Sequence, residues 1–212
     1  MRIARWHRGG RKLAAEEMNK NNQGESSSLQ KNLLLYLHDL IYMLSTVMVV
    51  FMLLFRIVIV SGTSMYATLH DGDWLLVTGS VLYRDPQPGD IIVASKDAFN
   101  DGEPIIKRVI ATEGQTVDID FEAGIVYVDG VPLEEPYTYT PTNMQEGNAF
   151  PITIADGCIF VLGDNRNGSK DSRHPDIGMI DTREVLGKAI FLMFPGYDDD
   201  AGREFDRIGA LK

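Results

Sequence analysis

The sequence holds a single cysteine, Cys158, which excludes an intrachain disulfide and any metal site built from thiolates. That thiol sits in the apolar run Cys158-Ile159-Phe160-Val161-Leu162 and reads as a buried structural residue. Histidine is scarce too. His7, His38, His70 and His174 show no metal-ligand spacing and read as non-catalytic. Basic charge is short overall, with 20 Lys and Arg against 30 Asp and Glu, a formal net charge of -10. Seven of those basic residues (Arg2, Arg5, Arg8, Arg11, Lys12, Lys20 and Lys31) fall in residues 1–31, beside only Glu16, Glu17 and Glu25. The acidic excess therefore lies almost wholly beyond residue 60. A nucleic-acid binder would carry its basic charge on the folded domain, so nucleic acid is not expected as a partner. With 9 Pro, 20 Gly and 44% hydrophobic residues, nothing suggests disorder throughout.

What the chain does have is one long apolar run. It starts at Leu33-Leu34-Leu35-Tyr36-Leu37 and reaches Val60, with no charged side chain from Leu40 to Phe55. About 20 apolar residues cross a bilayer core, and Arg56 and Asp39 near the two ends can reach the headgroups. The expected organisation is a basic cytoplasmic segment over 1–32, flexible around Asn19 to Ser28, a transmembrane helix over 33–60, and an extracytoplasmic domain over 61–212. The basic residues before the span predict a cytoplasmic N-terminus. A cleaved secretory signal fits less well, since no A-x-A site follows the run.

The outward part reads as mainly β, a barrel or sandwich. Strands are predicted at Asp73–Val77, Asp90–Ala94, Thr116–Asp120, Ile125–Val128, Val131–Leu133, Ile159–Leu162 and Val185–Phe194. Asp129-Gly130 is the strongest hairpin signal, and short strands at this spacing do not suggest βαβ units. Residues 134–150 read as a surface loop, and Tyr197-Asp198-Asp199-Asp200 as a solvated tail.

Three stretches hold more special residues than packing needs. Ser61-Gly62-Thr63-Ser64-Met65-Tyr66-Ala67-Thr68-Leu69 follows the span. A serine there is a nucleophile only with a base beside it, and is otherwise an ordinary loop residue. Ile105-Ile106-Lys107-Arg108-Val109-Ile110 puts a lysine among β-branched residues. Burial would lower its pKa and make it a general base; alternation would instead turn Lys107 or Arg108 to solvent. Gly163-Asp164-Asn165-Arg166-Asn167-Gly168-Ser169-Lys170-Asp171-Ser172-Arg173 carries both charges in a turn-rich run, able to form rigid Arg–carboxylate pairs.

Taken in this order, the stretches resemble the bacterial type I signal peptidases. Ser64-Met65-Tyr66-Ala67-Thr68-Leu69 is similar to the family's nucleophile box, Gly89-Asp90-Ile91-Ile92-Val93 to a Gly-Asp strand, Lys107-Arg108-Val109 to its base box, and Gly163 through Arg173 to its last box. The resemblance covers residues 33–194. It implies a membrane-bound serine endopeptidase that cuts signal peptides from exported preproteins, with Ser64 as nucleophile and Lys107 as base. It implies that Ser169 orients the lysine amine, that Asp164 with Arg108 and Asp171 with Arg173 form structural ion pairs, and that the Ser64 backbone N–H is an oxyanion donor. Preproteins and membrane lipid are the implied partners, and no metal or organic cofactor is implied. The substrate would dock as an extended strand beside the residues before Ser64 and Pro104 to Ile106. Gly62, standing where some members have serine, and the single anchor resemble the Gram-positive branch. Ala67 stands where the family usually has Pro, and Gly168 where it usually has Asn. A self-cleaving Ser-Lys regulator would bring a soluble DNA-binding segment in place of residues 1–60. An inert membrane-anchored β module would need neither Lys107 nor Ser169 at the matched places.

Overall fold

The computed structural model describes residues 6–96, 102–197 and 202–211. Met1 to Arg5 of the basic segment and Asp198 to Asp200 of the acidic tail lie outside the described residues. The chain divides into two compact units, Met1–Phe51 and Met52–Lys212.

A single helix, α1, runs over Trp6–Leu54, its last three residues falling in the second unit. Its stretch Lys31–Leu54, 24 residues with mean hydropathy 2.0, is long and apolar enough to cross a membrane. At about 1.5 Å per residue that stretch spans roughly 36 Å, more than a ~30 Å hydrocarbon core. Two expectations change here. The helix runs unbroken through Asn19 to Ser28, where a flexible tether was expected. No proline interrupts it, and a helix already nucleated by its apolar half extends at little cost per residue. It also stops at Leu54, not Val60, because Phe55–Ile59 forms strand β1. Arg-Ile-Val-Ile favours a pleated surface, and the helix already has its spanning length without it.

The second unit is built from antiparallel strands. β1 pairs with β2 (Trp74–Gly79) in register Phe55↔Thr78 to Ile59↔Trp74. The larger sheet continues through β11 (Val185–Phe194), β3 (Ile91–Ala94), β4 (Ile105–Thr112), β9 (Cys158–Leu162) and β10 (Ile180–Asp181), and β12 (Gly209–Ala210) also pairs with β11. The smaller sheet runs β7 (Val131–Pro132), β6 (Ile125–Val128), β5 (Thr116–Asp120), β8 (Ile152–Thr153). The mainly β reading holds, with two sheets meeting in one core. Asp129 and Gly130 join β6 to β7 with φ of 52° and 79°, the left-handed pair that a two-residue hairpin needs.

β5 alternates buried and exposed residues, as a strand with one solvated face should. β4 does not: Ile106 through Ala111 are all buried, because core residues pack on both of its faces. Ile106 joins a cluster with Val60, Met65, Leu69 and Leu75; Ile110 joins one with Val117, Val126 and Phe160; Val109 joins one with Ile92, Ile159 and Ile177. Cys158 is half-buried at the start of β9, more open than expected, because it borders the turn at Gly157.

Candidate active site

Ser64 sits at the head of a tight turn. The Tyr66 N–H donates to Thr63 O at 3.1 Å and the Leu69 N–H to Met65 O at 2.8 Å. Met65 and Leu69 are buried and pin the turn to the core. Gly62 before it has φ 90°, a left-handed conformation glycine adopts freely, and its N–H donates to Asp71 Oδ1 at 2.7 Å. The Tyr66–Ala67 peptide bond is cis.

Lys107 reaches Ser64 from β4. Its Nζ lies 2.9 Å from Ser64 Oγ and donates to Ile106 O at 3.1 Å. The residue is only 5% exposed. Burial lowers its pKa from 10.5 to about 8, against the opposing pull of Asp171, Glu146 and Asp164 and with a small further lowering from Arg173. Neither Lys107 nor Arg108 marks a solvent face, since β4 has none. Adjacent strand residues point to opposite faces, so the lysine meets the serine while the arginine crosses the core.

Arg108 makes a bidentate pair with Asp164: Nε to Oδ1 at 2.9 Å and Nη2 to Oδ2 at 2.7 Å. Thr68 Oγ1 donates to the same carboxylate at 2.5 Å, tying the Ser64 turn to the pair. Arg108 Nη1 donates to Gly89 O at 2.8 Å, and the guanidinium lies 4.0 Å from the Tyr137 ring centre. Asp171 and Arg173 form a second bidentate pair, with both bonds at 2.8 Å and both side chains fully buried. Asp171 also accepts the Gly163 N–H at 3.0 Å, and Arg173 donates to the carbonyls of Met144, Arg166 and Ser169.

The last loop is wedged against the nucleophile. Asn165 N–H donates to Ser64 O at 3.0 Å, and Asn165 Nδ2 to Thr63 O at 3.2 Å. Gly163 lies so close that a Cβ there would run into the Ser169 side chain and the Ser64 carbonyl. Gly168 lies under the Asn165 side chain, where a Cβ would also collide. Ser169 is buried beside this contact, but its hydroxyl has no hydrogen-bond partner among the described residues. It makes no bond to the Lys107 amine, which reaches Ser64 Oγ and donates to the Ile106 carbonyl.

Some contributors had no sequence signal. Glu135 clamps buried Arg166 with bonds of 2.7 and 2.5 Å, and Glu146 sits 3.9 Å from Arg173. Both come from the stretch read as a surface loop. Asp73, fully buried, accepts from His70 N–H, Gly196 N–H and Arg207, and so braces the far end of the Ser64 turn. Among the described residues no cluster of His, Cys, Asp and Glu could hold a metal ion. What remains is a serine hydroxyl within proton-transfer reach of an amine whose neutral form is accessible near neutral pH.

Residues 33–194 match the family described as signal peptidase, peptidase S26. The probable signal peptidase I-1 of Synechocystis sp. is 40% identical over 143 residues, covering 64% of this chain and 69% of its own. Signal peptidase I of Bacillus amyloliquefaciens is 35% identical over 155 residues, covering 68% and 77%. Signal peptidase I T of Bacillus subtilis is 33% identical over 150 residues, covering 67% and 75%. A match that takes in the apolar segment, the Ser64 turn, β4 and the Gly163–Arg173 loop, with relatives this similar over more than two thirds of their length, shows that the chain belongs to the signal peptidase family, peptidase S26.

Proposed function

We propose that this chain is a membrane-anchored serine endopeptidase that removes N-terminal signal peptides from exported preproteins, with Ser64 as nucleophile and Lys107 as general base. One observation carries the reading: the Ser64 hydroxyl and the buried Lys107 amine lie 2.9 Å apart. Neutral Lys107 takes the proton of Ser64 as Oγ attacks the scissile carbonyl carbon. The C–N bond then breaks, the Lys107 ammonium protonates the leaving amine, and an ester to Ser64 remains. Water attacks that ester while its proton passes to Lys107. The C–O bond breaks, and Ser64 recovers a proton as the signal peptide's new carboxylate leaves. The Ser64 backbone N–H, which bonds to nothing among the described residues, is available to the oxyanion. Gly62 offers no side-chain donor, and its N–H is taken by Asp71. Asp164 with Arg108 and Asp171 with Arg173 serve as the frame, and Ser169 is the nearby hydroxyl for the amine's remaining donor.

The anchor crosses the membrane once, with the basic N-terminal segment cytoplasmic and the β domain outside. Lipid is a partner of the β domain as well. Ile57 and Ile59 on β1, Trp74 on β2, and Phe191 and Phe194 on β11 are exposed, and register puts Ile59 beside Trp74 and Trp74 beside Phe194. β1 follows Leu54 directly in the chain. The acidic domain is unsuited to nucleic acid. Mass spectrometry of a model preprotein incubated with wild type, Ser64→Ala and Lys107→Ala tests the reading. Both variants should lose at least ~10³-fold in processing rate. Cleavage near the wild-type rate in either one refutes the mechanism.

A further inference from the structure

The loop between Leu133 and Phe150 is fastened along its length to the Gly163–Arg173 loop. Thr142 Oγ1 accepts from Arg166 at 2.9 Å, Asn167 Oδ1 accepts the N–H groups of Asn143 and Met144, and Asn148 Nδ2 donates to Ser172 O at 2.9 Å. Glu146 differs from these clasps in its charge balance. Its carboxylate, 10% exposed, lies 3.9 Å from Arg173 Nη2 and accepts the Asp171 N–H at 3.4 Å. Arg173 is held more closely by Asp171, in two bonds of 2.8 Å. One guanidinium thus serves two carboxylates, and the three groups together carry one negative charge in excess.

The charges that weigh most on the Lys107 amine are Asp171, then Glu146 and Asp164, which favour the ammonium, and Arg173, which opposes it. Arg108 balances Asp164, and Arg173 balances Asp171. The excess acidic charge in reach of the amine therefore comes with Glu146. The groups acting on Glu146 itself are Asp171, Arg173 and His174. Burial, and then Asp171, raise its carboxyl above the usual range, against the lowering by Arg173, the Asp171 N–H and His174.

We propose that Glu146 is a positioning residue for the reaction: through Asp171 and Arg173 it secures the loop bearing Ser169, and its excess negative charge favours the ammonium form of Lys107. This rests on Lys107 being the base. A charge that favours the ammonium raises the pH needed to free the amine, so its removal frees the amine at lower pH.

The test is kcat/KM against pH on a signal-peptide substrate, with the full chain in detergent micelles. Glu146→Gln keeps the shape and removes the charge. Its acid limb should move to lower pH by about half a unit, a ~threefold gain in rate one unit below the wild-type limb. Glu146→Asp should restore the wild-type limb. Glu146→Ala also removes the charge and reads the same limb should the Gln variant fail to fold. An acid limb that stays in place, or moves to higher pH, in the charge-free variants overturns the proposal. So does an equal loss of activity at every pH that follows a lowered melting temperature. Lys107→Ala, run in parallel, separates the two failures. Residual processing there sinks the base assignment, whereas an inert Lys107→Ala with an unmoved Glu146→Gln limb sinks only the role of Glu146.

Discussion

Lys107→Met should yield a protein that is more stable and inactive. The lysine is buried in a strand covered on both faces, and burial lowers its pKa from 10.5 to about 8. Each unit corresponds to about 1.4 kcal/mol, so holding the ammonium in the core at neutral pH costs on the order of 3 kcal/mol. Methionine fills much the same space without a charge. It gives up the bonds to the Ile106 carbonyl and the Ser64 hydroxyl, a loss of about 1 kcal/mol each. The net gain is about 1 kcal/mol, or a rise in Tm of ~2–4 °C for a domain of this size. The pH dependence gives a second signature. The folded pKa lies below that of the unfolded chain, so between the two values the unfolded state binds more protons. The destabilisation is therefore complete below pH ~8 and is relieved as pH rises toward ~10.5, so the gap between variant and wild type should close over that interval. Thermal unfolding in micelles, followed by Trp74 fluorescence in a Trp6→Phe background, measures both effects. A variant that melts at or below wild type at pH 7, or a gap that ignores pH, would refute the argument from burial.

Three further outcomes follow from the packing. Asp164→Ala removes the carboxylate that holds buried Arg108 and should cost ~3–5 kcal/mol in urea titrations, while an exposed pair such as Asp181–Arg183 should cost under ~1 kcal/mol. Gly163→Ala drives a Cβ into Ser169 and the Ser64 carbonyl, so processing should fall at least ~100-fold; near-normal rates would mean the two loops are not in contact. In proteoliposomes, Trp74 fluorescence should be quenched by lipids brominated high on their acyl chains, and an absence of quenching would remove lipid from the exposed β1–β2–β11 face.

Features carried by neighbouring residues could be read from the sequence. The Asp129-Gly130 hairpin depends on two φ values and one adjacent pairing, and β3, β5, β6, β9 and β11 were visible as short apolar or alternating runs. β1 was hidden because Phe55–Ile59 is as apolar as the helix before it, so hydropathy alone extends the span by six residues, to Val60. Alternation could not decide the fate of Lys107 and Arg108, since it presumes a solvated face that β4 lacks. The three chemical stretches were recognisable, but their clamps were not. Glu135 is 31 residues from Arg166, Glu146 is 25 from Asp171, and both sit in a run whose composition suits a loose surface loop. Ser169 shows the opposite limit: its position in the last box is plain, yet its hydroxyl makes no bond to the amine that the resemblance assigns to it.

Arg108, Arg166 and Arg173 are among the largest fully buried side chains, and each joins segments that the sequence keeps apart. In a chain with one cysteine they join distant segments as disulfides do in other proteins. Cross-links of this kind have no redox chemistry. A reductant leaves them alone, and their formation waits on no oxidase. They do depend on carboxylates remaining charged. Acid is therefore the agent that would unfasten this frame.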